Sequence, residues 1–357
     1  MRFFRHKIPA FARVPRGLAA DMTGGRLSPF TFSSREGGGM QDFLAHNPVL
    51  QSVLDMTVIA VPLAVLFAFC GMNILCVTGE ILSLRRRRAF YGKCALQLAL
   101  LGQGLGWALL VGGRVWLHFM EKGLPEQNFL TSVHEACWMV LGLAVIFSCI
   151  YFMLWKTLAQ QFPLVHIGLG MVSALQGVLS LLLVLAGMRL TAIINMPLDK
   201  ETTIVPGDVL LPVWGTDYAT TLCYAPLLLL GMPAAFACVW LLMRRKRDDY
   251  GRDHYNVVLP WCACWARNAW GLIWLLLLVF SGLEVYGRLQ AGSLAAADGV
   301  TAGIRVLLWL IPPLLWLMAT RSATPMRHKA GLVLALLISC AFMLPCFMGL
   351  TSWTPQP

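Results

Sequence analysis

Charge is what this sequence has least of: 13% of its 357 residues are Asp, Glu, Lys or Arg, against roughly 25% in a typical soluble domain. With 58% hydrophobic residues, the chain has too little polar surface to present to water on every side, which excludes a freely soluble globular protein. It also lacks any CxxC pair, although it has 11 cysteines, nearly all of them inside apolar stretches. That argues against a disulfide framework and against a zinc site, because a free Cys in such a setting behaves as a small apolar residue. No Asp or Glu stands at a clear midpoint of an apolar stretch, which weakens a transport mechanism built on a midplane carboxylate.

What the sequence has is long apolar runs. A bilayer core about 30 Å thick needs roughly 20 apolar residues per helix, and eight stretches qualify: 57–84, 94–118, 131–155, 163–188, 219–243, 258–283, 301–320 and 330–350. Backbone polar groups in hydrocarbon must be satisfied within their own segment, so these are helices and not strands. The expected architecture is an all-α membrane protein of about eight transmembrane helices, arranged as two parallel four-helix halves. The halves are residues 40–188 and 219–357, joined by an external loop at 189–218.

The net charge of +11 could suggest nucleic acid, but the basic residues are placed otherwise. Of the 28 Lys and Arg, 14 lie in four alternate loops: Arg85 to Arg88 with Lys93, Lys156, Arg244 to Arg247 with Arg252, and Arg321, Arg327 and Lys329. The intervening loops hold only Lys122, Arg189, Lys200 and Arg288. This is the positive-inside bias of a membrane protein, with no nucleic-acid role and with both ends of the helical region outside the cytoplasm. Residues 1–39 run against it, carrying Arg2, Arg5, Lys7, Arg13, Arg16, Arg26 and Arg35 without the continuous apolar core of a signal peptide. Arg35-Glu36-Gly37-Gly38-Gly39 directly before Met40 is what translation of a purine-rich ribosome-binding site would produce. The expected start is therefore Met40, with 1–39 a non-native extension or a disordered segment.

A faint repeat supports the two halves. Leu84 to Lys93, with Tyr91-Gly92, follows the first stretch, and Met243 to Arg252, with Tyr250-Gly251, follows the fifth at an offset of 159 residues. Four helices per half put the copies in the same orientation, as a parallel repeat requires. Pro226, Pro233, Pro312, Pro313 and Pro345 are expected to kink or open their helices unless neighbours satisfy the freed carbonyls. The 189–218 loop, with Pro197, Pro206, Pro212 and Trp214, either caps the outer end of the bundle or lies on the membrane surface.

Ionisable residues within apolar stretches are the first candidates for function. Glu80 and Arg267 are expected near the cytoplasmic ends of their helices, and Arg114, Glu284 and Arg305 towards the external side, all within snorkelling reach of headgroups. His118 ends the second helix and His134 opens the third, so the two face the external side across a short loop. A His pair on adjacent helices can clamp the iron of a haem b, and His134-Glu135 can face a quinol. Arg114, Glu284 and Arg288 are the polar partners of such a cofactor site. His166, at the opposite side, reads as structural or interfacial.

Short motifs resemble subunit I of the cytochrome bd quinol oxidases. Val61-Pro62-Leu63 opens the first long apolar run, and Phe90-Tyr91-Gly92-Lys93 is similar to that family's Phe-Trp-Gly-Lys turn. Leu154-Trp155-Lys156-Thr157-Leu158 followed by Pro163-Leu164-Val165-His166 resembles its Trp-Asp-Arg-Leu and Pro-x-x-His elements. Gly282 to Gln290 resembles its Glu-Val-Gly-Arg-Gln-Pro-Trp stretch with an inserted Tyr and Leu. The departures fall on the haem ligands: the family's first-helix His falls at Thr57, its third-helix Glu near Ala144, and the fifth helix opens Tyr218-Ala219-Thr220-Thr221 without a His.

The resemblance implies a bacterial inner-membrane subunit of a respiratory electron-transfer complex. Such a subunit contacts lipid, other membrane or periplasmic redox subunits and quinone, but does not reduce oxygen. The alternatives are an eight-helix small-molecule transporter and a haem-free assembly scaffold. Mass spectrometry of the protein from its native membrane should yield no peptide from residues 1–39, and detection of one would place the start upstream of Met40.

Overall fold

The computed structural model describes residues 48–123, 128–194, 209, 216–248, 250–293, 295–322 and 324–352. Residues 1–39 and most of the 189–218 loop lie outside these, and with them the expectations about the start and the loop. The described helices are α1 Pro48–Arg86, α2 Ala89–Gly123, α3 Asn128–Met153, α4 Trp155–Gln161, α5 Pro163–Ile194, α6 Asp217–Asp248 and α7 Gly251–Gln290. They continue with α8 Ala296–Trp309, α9 Ile311–Arg321, a 3-10 turn Pro325–His328, α10 Lys329–Ala341 and α11 Met343–Thr351. Eight spans among the described residues are long and apolar enough to cross a bilayer. The chain is an all-α, multi-pass membrane protein, and all eight apolar stretches expected from sequence correspond to spans.

The helices run past the apolar stretches because polar residues at their ends stay in helical register. The stretch 258–283 becomes Gly251–Gln290, 40 residues or about 60 Å at the helical rise, twice the bilayer core. The prolines divide into two groups. Pro226 and Pro233 sit inside the unbroken α6, whereas the seventh and eighth spans each change segment beside a proline. There α8 gives way to α9 just before Pro312 and Pro313, and α10 to α11 just before Pro345. A proline in the first turn of a segment removes an N–H that would be unpaired there anyway.

Packing closes two four-helix rings. In the first, α1 packs on α2, α2 on α3, α3 on α5 and α5 on α1. In the second, α6 packs on α7, α7 on α8 and α9, α9 on α10, and α10 with α11 back on α6. The rings meet chiefly where α1 crosses α6, and the physics of that crossing is legible. Pro233 has no N–H, so the Leu229 carbonyl four residues earlier loses its helical partner. That carbonyl points at Gly71 on α1, where a Cβ would stand 1.8 Å from its oxygen. On the neighbouring face of α1, the Cys70 carbonyl lies against Gly177 of α5, where a Cβ would stand 2.7 Å away. Small residues admit this close approach of one backbone to another.

The crossing also corrects the expected depth of Arg267. Gly231, two residues from Leu229, packs on Ala269 and Trp270 of α7, with a Cβ at Gly231 falling 3.0 Å from that of Ala269. Arg267 is therefore level with the crossing, near the middle of the spans, and not near the basic end of its helix. Arg267 is the tenth residue of the 26-residue stretch 258–283, within one turn of its midpoint.

A Gly71→Ala variant should lose about 1–3 kcal/mol through overpacking, read as a lower thermal unfolding midpoint in detergent. Gly104→Ala, where nothing lies within 4 Å of the new Cβ, should unfold like wild type.

Candidate functional site

Three helices bring one end each to a single carboxylate on the side that carries the arginine-rich loops. Glu80 lies less than two turns before the end of α1. Tyr151 is in the last turn of α3, where carbonyls lack intrahelical donors. His166 is in the first turn of α5, which Pro163 opens. The side chains are enclosed, with 0% of Tyr151, 0% of His166 and 7% of Glu80 exposed.

The Tyr151 hydroxyl donates to Glu80 Oε1. His166 Nδ1 stands 2.8 Å from Glu80 Oε2, and His166 Nε2 stands 3.0 Å from the Tyr151 backbone carbonyl. A carbonyl only accepts, so Nε2 carries a hydrogen. A further proton must then lie between Nδ1 and Oε2, on the ring or on the carboxyl, because two bare acceptors at that distance repel. Either placement leaves the couple with no net charge, the form a low-dielectric interior tolerates. The site thus holds a proton that can pass between carboxylate and imidazole without moving a heavy atom. Aromatic packing fixes the ring: His166 stacks on Tyr151 with centroids 4.6 Å apart, and Trp155 meets it edge-on at 4.8 Å.

A second buried polar group lies on the same side and ties the rings together. Gln97 of α2 donates through Nε2 to Asp248 Oδ2 at 2.6 Å and to the Tyr255 hydroxyl at 3.4 Å. Its Oε1 is 3.2 Å from His254 Nε2, which makes that nitrogen the protonated one. His254 is fully buried, and its Nδ1 has no hydrogen-bond partner among the described residues. Arg244 completes the group by pairing with Asp248 at 2.6 Å.

The residues singled out from sequence for a cofactor site, His118, His134, Arg114, Glu284 and Arg288, fall into two sets on the other side of the bundle. In the first ring, Arg114 pairs with Glu135 at 2.6 Å and stands over the Trp138 ring at 5.6 Å, while His134 Nε2 bonds the Thr191 hydroxyl at 2.8 Å. Thr191 donates its own hydrogen to the Gly187 carbonyl, so His134 Nε2 is a donor. His118 is exposed near the end of α2. In the second ring, Arg288 pairs with Glu284 at 2.9 Å and with Asp298 at 3.1 Å, and Arg305 reaches Glu284 at 3.6 Å. These pairs are a third to a half exposed, and the two sets stand on separate helix groups.

Sequence reasoning noticed Glu80 and His166 separately and missed Tyr151, Gln97 and His254. The usable signal was positional: a His in the first turn of one span and a carboxylate near the end of another, both on the basic side. No family model, curated protein or solved structure matches the chain.

Removing the carboxylate strands two buried donors. Glu80→Ala should destabilise by about 3–5 kcal/mol, as breaking a buried pair does. Glu80→Gln keeps an acceptor for Tyr151 and should cost less, and the order of the two thermal midpoints is the measurement.

Proposed function

We propose that this chain is an inner-membrane subunit of a bacterial respiratory electron-transfer complex, linked to the quinone pool and not itself an oxygen-reducing oxidase. The observation that carries the proposal is the Glu80–His166–Tyr151 site. A quinone takes up protons with its electrons when reduced and releases them when oxidised, so a quinone-linked subunit needs an enclosed proton carrier near one membrane face. The loop-charge bias makes that face the cytoplasmic one. His166 and Glu80 then pass a proton between the cytoplasm and a quinone oxygen in the bilayer, while a partner redox subunit exchanges the electrons. Tyr151 holds the carboxylate in place through its hydroxyl and the imidazole through its carbonyl. The motif resemblance to cytochrome bd subunit I supports the same reading.

Haem b between His118 and His134 is a separate part of the proposal. His134 as placed offers only Nδ1, because Thr191 takes the other nitrogen. A pyridine haemochromogen assay without haem would remove the cofactor and leave the proton site as it stands. A proton-coupled transporter would use that proton site without any quinone.

Quinol-dependent electron transfer in native membranes should fall about 10²-fold in Glu80→Gln and in His166→Asn, the scale of a lost proton-transfer group. Unchanged turnover in both variants would defeat the reading. Proton flux in proteoliposomes that lack quinone, lost in the same variants, would favour the transporter.

A further inference from the structure

Among the described residues, Arg267 is the Lys or Arg that the fold places deepest between the two ends of the spans, and no carboxylate pairs with it. It is the seventeenth residue of the 40-residue α7, level with the crossing of the two rings through Gly231, Ala269 and Trp270. The flanking polar residues agree with that depth. Arg252, Asp253 and His254 stand on one side and Glu284 and Arg288 on the other, so the midpoint falls within one turn of Arg267. An arginine side chain reaches little more than one helical turn, about 5.4 Å, and each headgroup layer is about 15 Å from the midplane. Snorkelling does not bring this guanidinium to water.

The guanidinium has only neutral partners. Its Nε and Nη2 donate to Asn268 Oδ1 at 3.0 and 2.7 Å, and Nη2 to Cys264 Sγ at 3.4 Å. No carboxylate pairs with it among the described residues. Asn268 is exposed on the stripe that continues through Leu272, Leu275 and Val279, 48–54% exposed. Lipid facing this stripe would meet a charge and an amide at the depth where both are costliest.

We infer that this face of α7 docks a transmembrane helix of a different protein that carries an Asp or Glu at mid-membrane depth. Charge complementarity selects that occupant over a second copy of this chain. The carboxylates of the described spans lie elsewhere: Glu80 is enclosed in its own ring, Glu135 and Glu284 are engaged at the far end of the bundle, and Asp217, Asp248, Asp253 and Asp298 stand at helix ends. The incoming carboxylate accepts from the guanidinium N–H groups that Asn268 does not use, and the apolar stripe beyond it supplies van der Waals packing. The inference stands on the depth and charge of Arg267 and does not rest on the quinone reading.

A photoreactive benzoylphenylalanine at Leu272, in the full chain expressed in its native host, tests this directly. Irradiation should join it to an identified transmembrane peptide of another protein that contains an Asp or Glu, while the same probe at Leu175, exposed on α5 away from any charged side chain of that helix's middle, should give none. Arg267→Glu should reduce the crosslink at least tenfold, and replacing the partner's carboxylate by Lys should restore it. Arg267→Gln, which keeps the size and the hydrogen bonding, should reduce it in the same direction if the charge-reversed chain does not fold. Crosslinks only to lipid, to a second copy or to a peptide without a carboxylate would overturn the inference. So would a crosslink that survives both substitutions. Loss of quinol turnover with this crosslink intact, or the reverse, separates the two proposals.

Discussion

The contact between Gly71 and the Leu229 carbonyl decides how the two rings of helices meet. A proline four residues on removes the hydrogen that would have closed the α6 helical bond, and a glycine on α1 supplies the space into which the freed oxygen turns. Any side chain larger than that of glycine would collide with the freed oxygen, so the proline of α6 and the glycine of α1 work as a pair. Because α1 also touches α2 and α5, its position is inherited by everything packed on it. Cys70 presents its carbonyl to Gly177, and nearly three turns later Glu80 is delivered between α3 and α5.

Charge is handled differently at the two sides of the bundle. On the basic side, inward of the exposed Arg85 to Arg88, two polar groups are enclosed: Glu80 with His166 and Tyr151, and Gln97 with Asp248, Arg244 and His254. On the other side, the Arg114–Glu135 and Glu284–Arg288–Asp298 pairs remain partly exposed, where an ion pair in contact with water contributes about 0–1 kcal/mol. Arg189 is the exception on that side. It is 6% exposed, with its guanidinium 3.4 Å from the Tyr218 ring centroid and Nη1 donating to the carbonyls of Leu350 and Ser352 at the end of α11. It fastens the first ring to the second where the last helix runs out of intrahelical donors.

Much of the fold was legible in the residues themselves. Eight apolar runs became eight spans, and polar ends such as Arg252-Asp253-His254 only lengthened the helices. The site was less legible. His166 looked interfacial because a histidine three residues after a proline at a helix start has no local sign of burial, and Tyr151 had none at all. Arg267, the tenth residue of its apolar run, carried no local sign of how deep that run sits. Depth is set by the neighbour a helix packs against, and here that neighbour is Gly231.

Span number and helical character were decided by the sequence alone, because they follow from local quantities: the apolar length of a segment and its need to satisfy its own backbone in hydrocarbon. Only the tertiary structure decided which ionisable groups meet. Glu80 and His166 are 86 residues apart, and their encounter depends on which face each helix turns inward, which the close approach of glycine and carbonyl at the crossing sets for α1 and its neighbours.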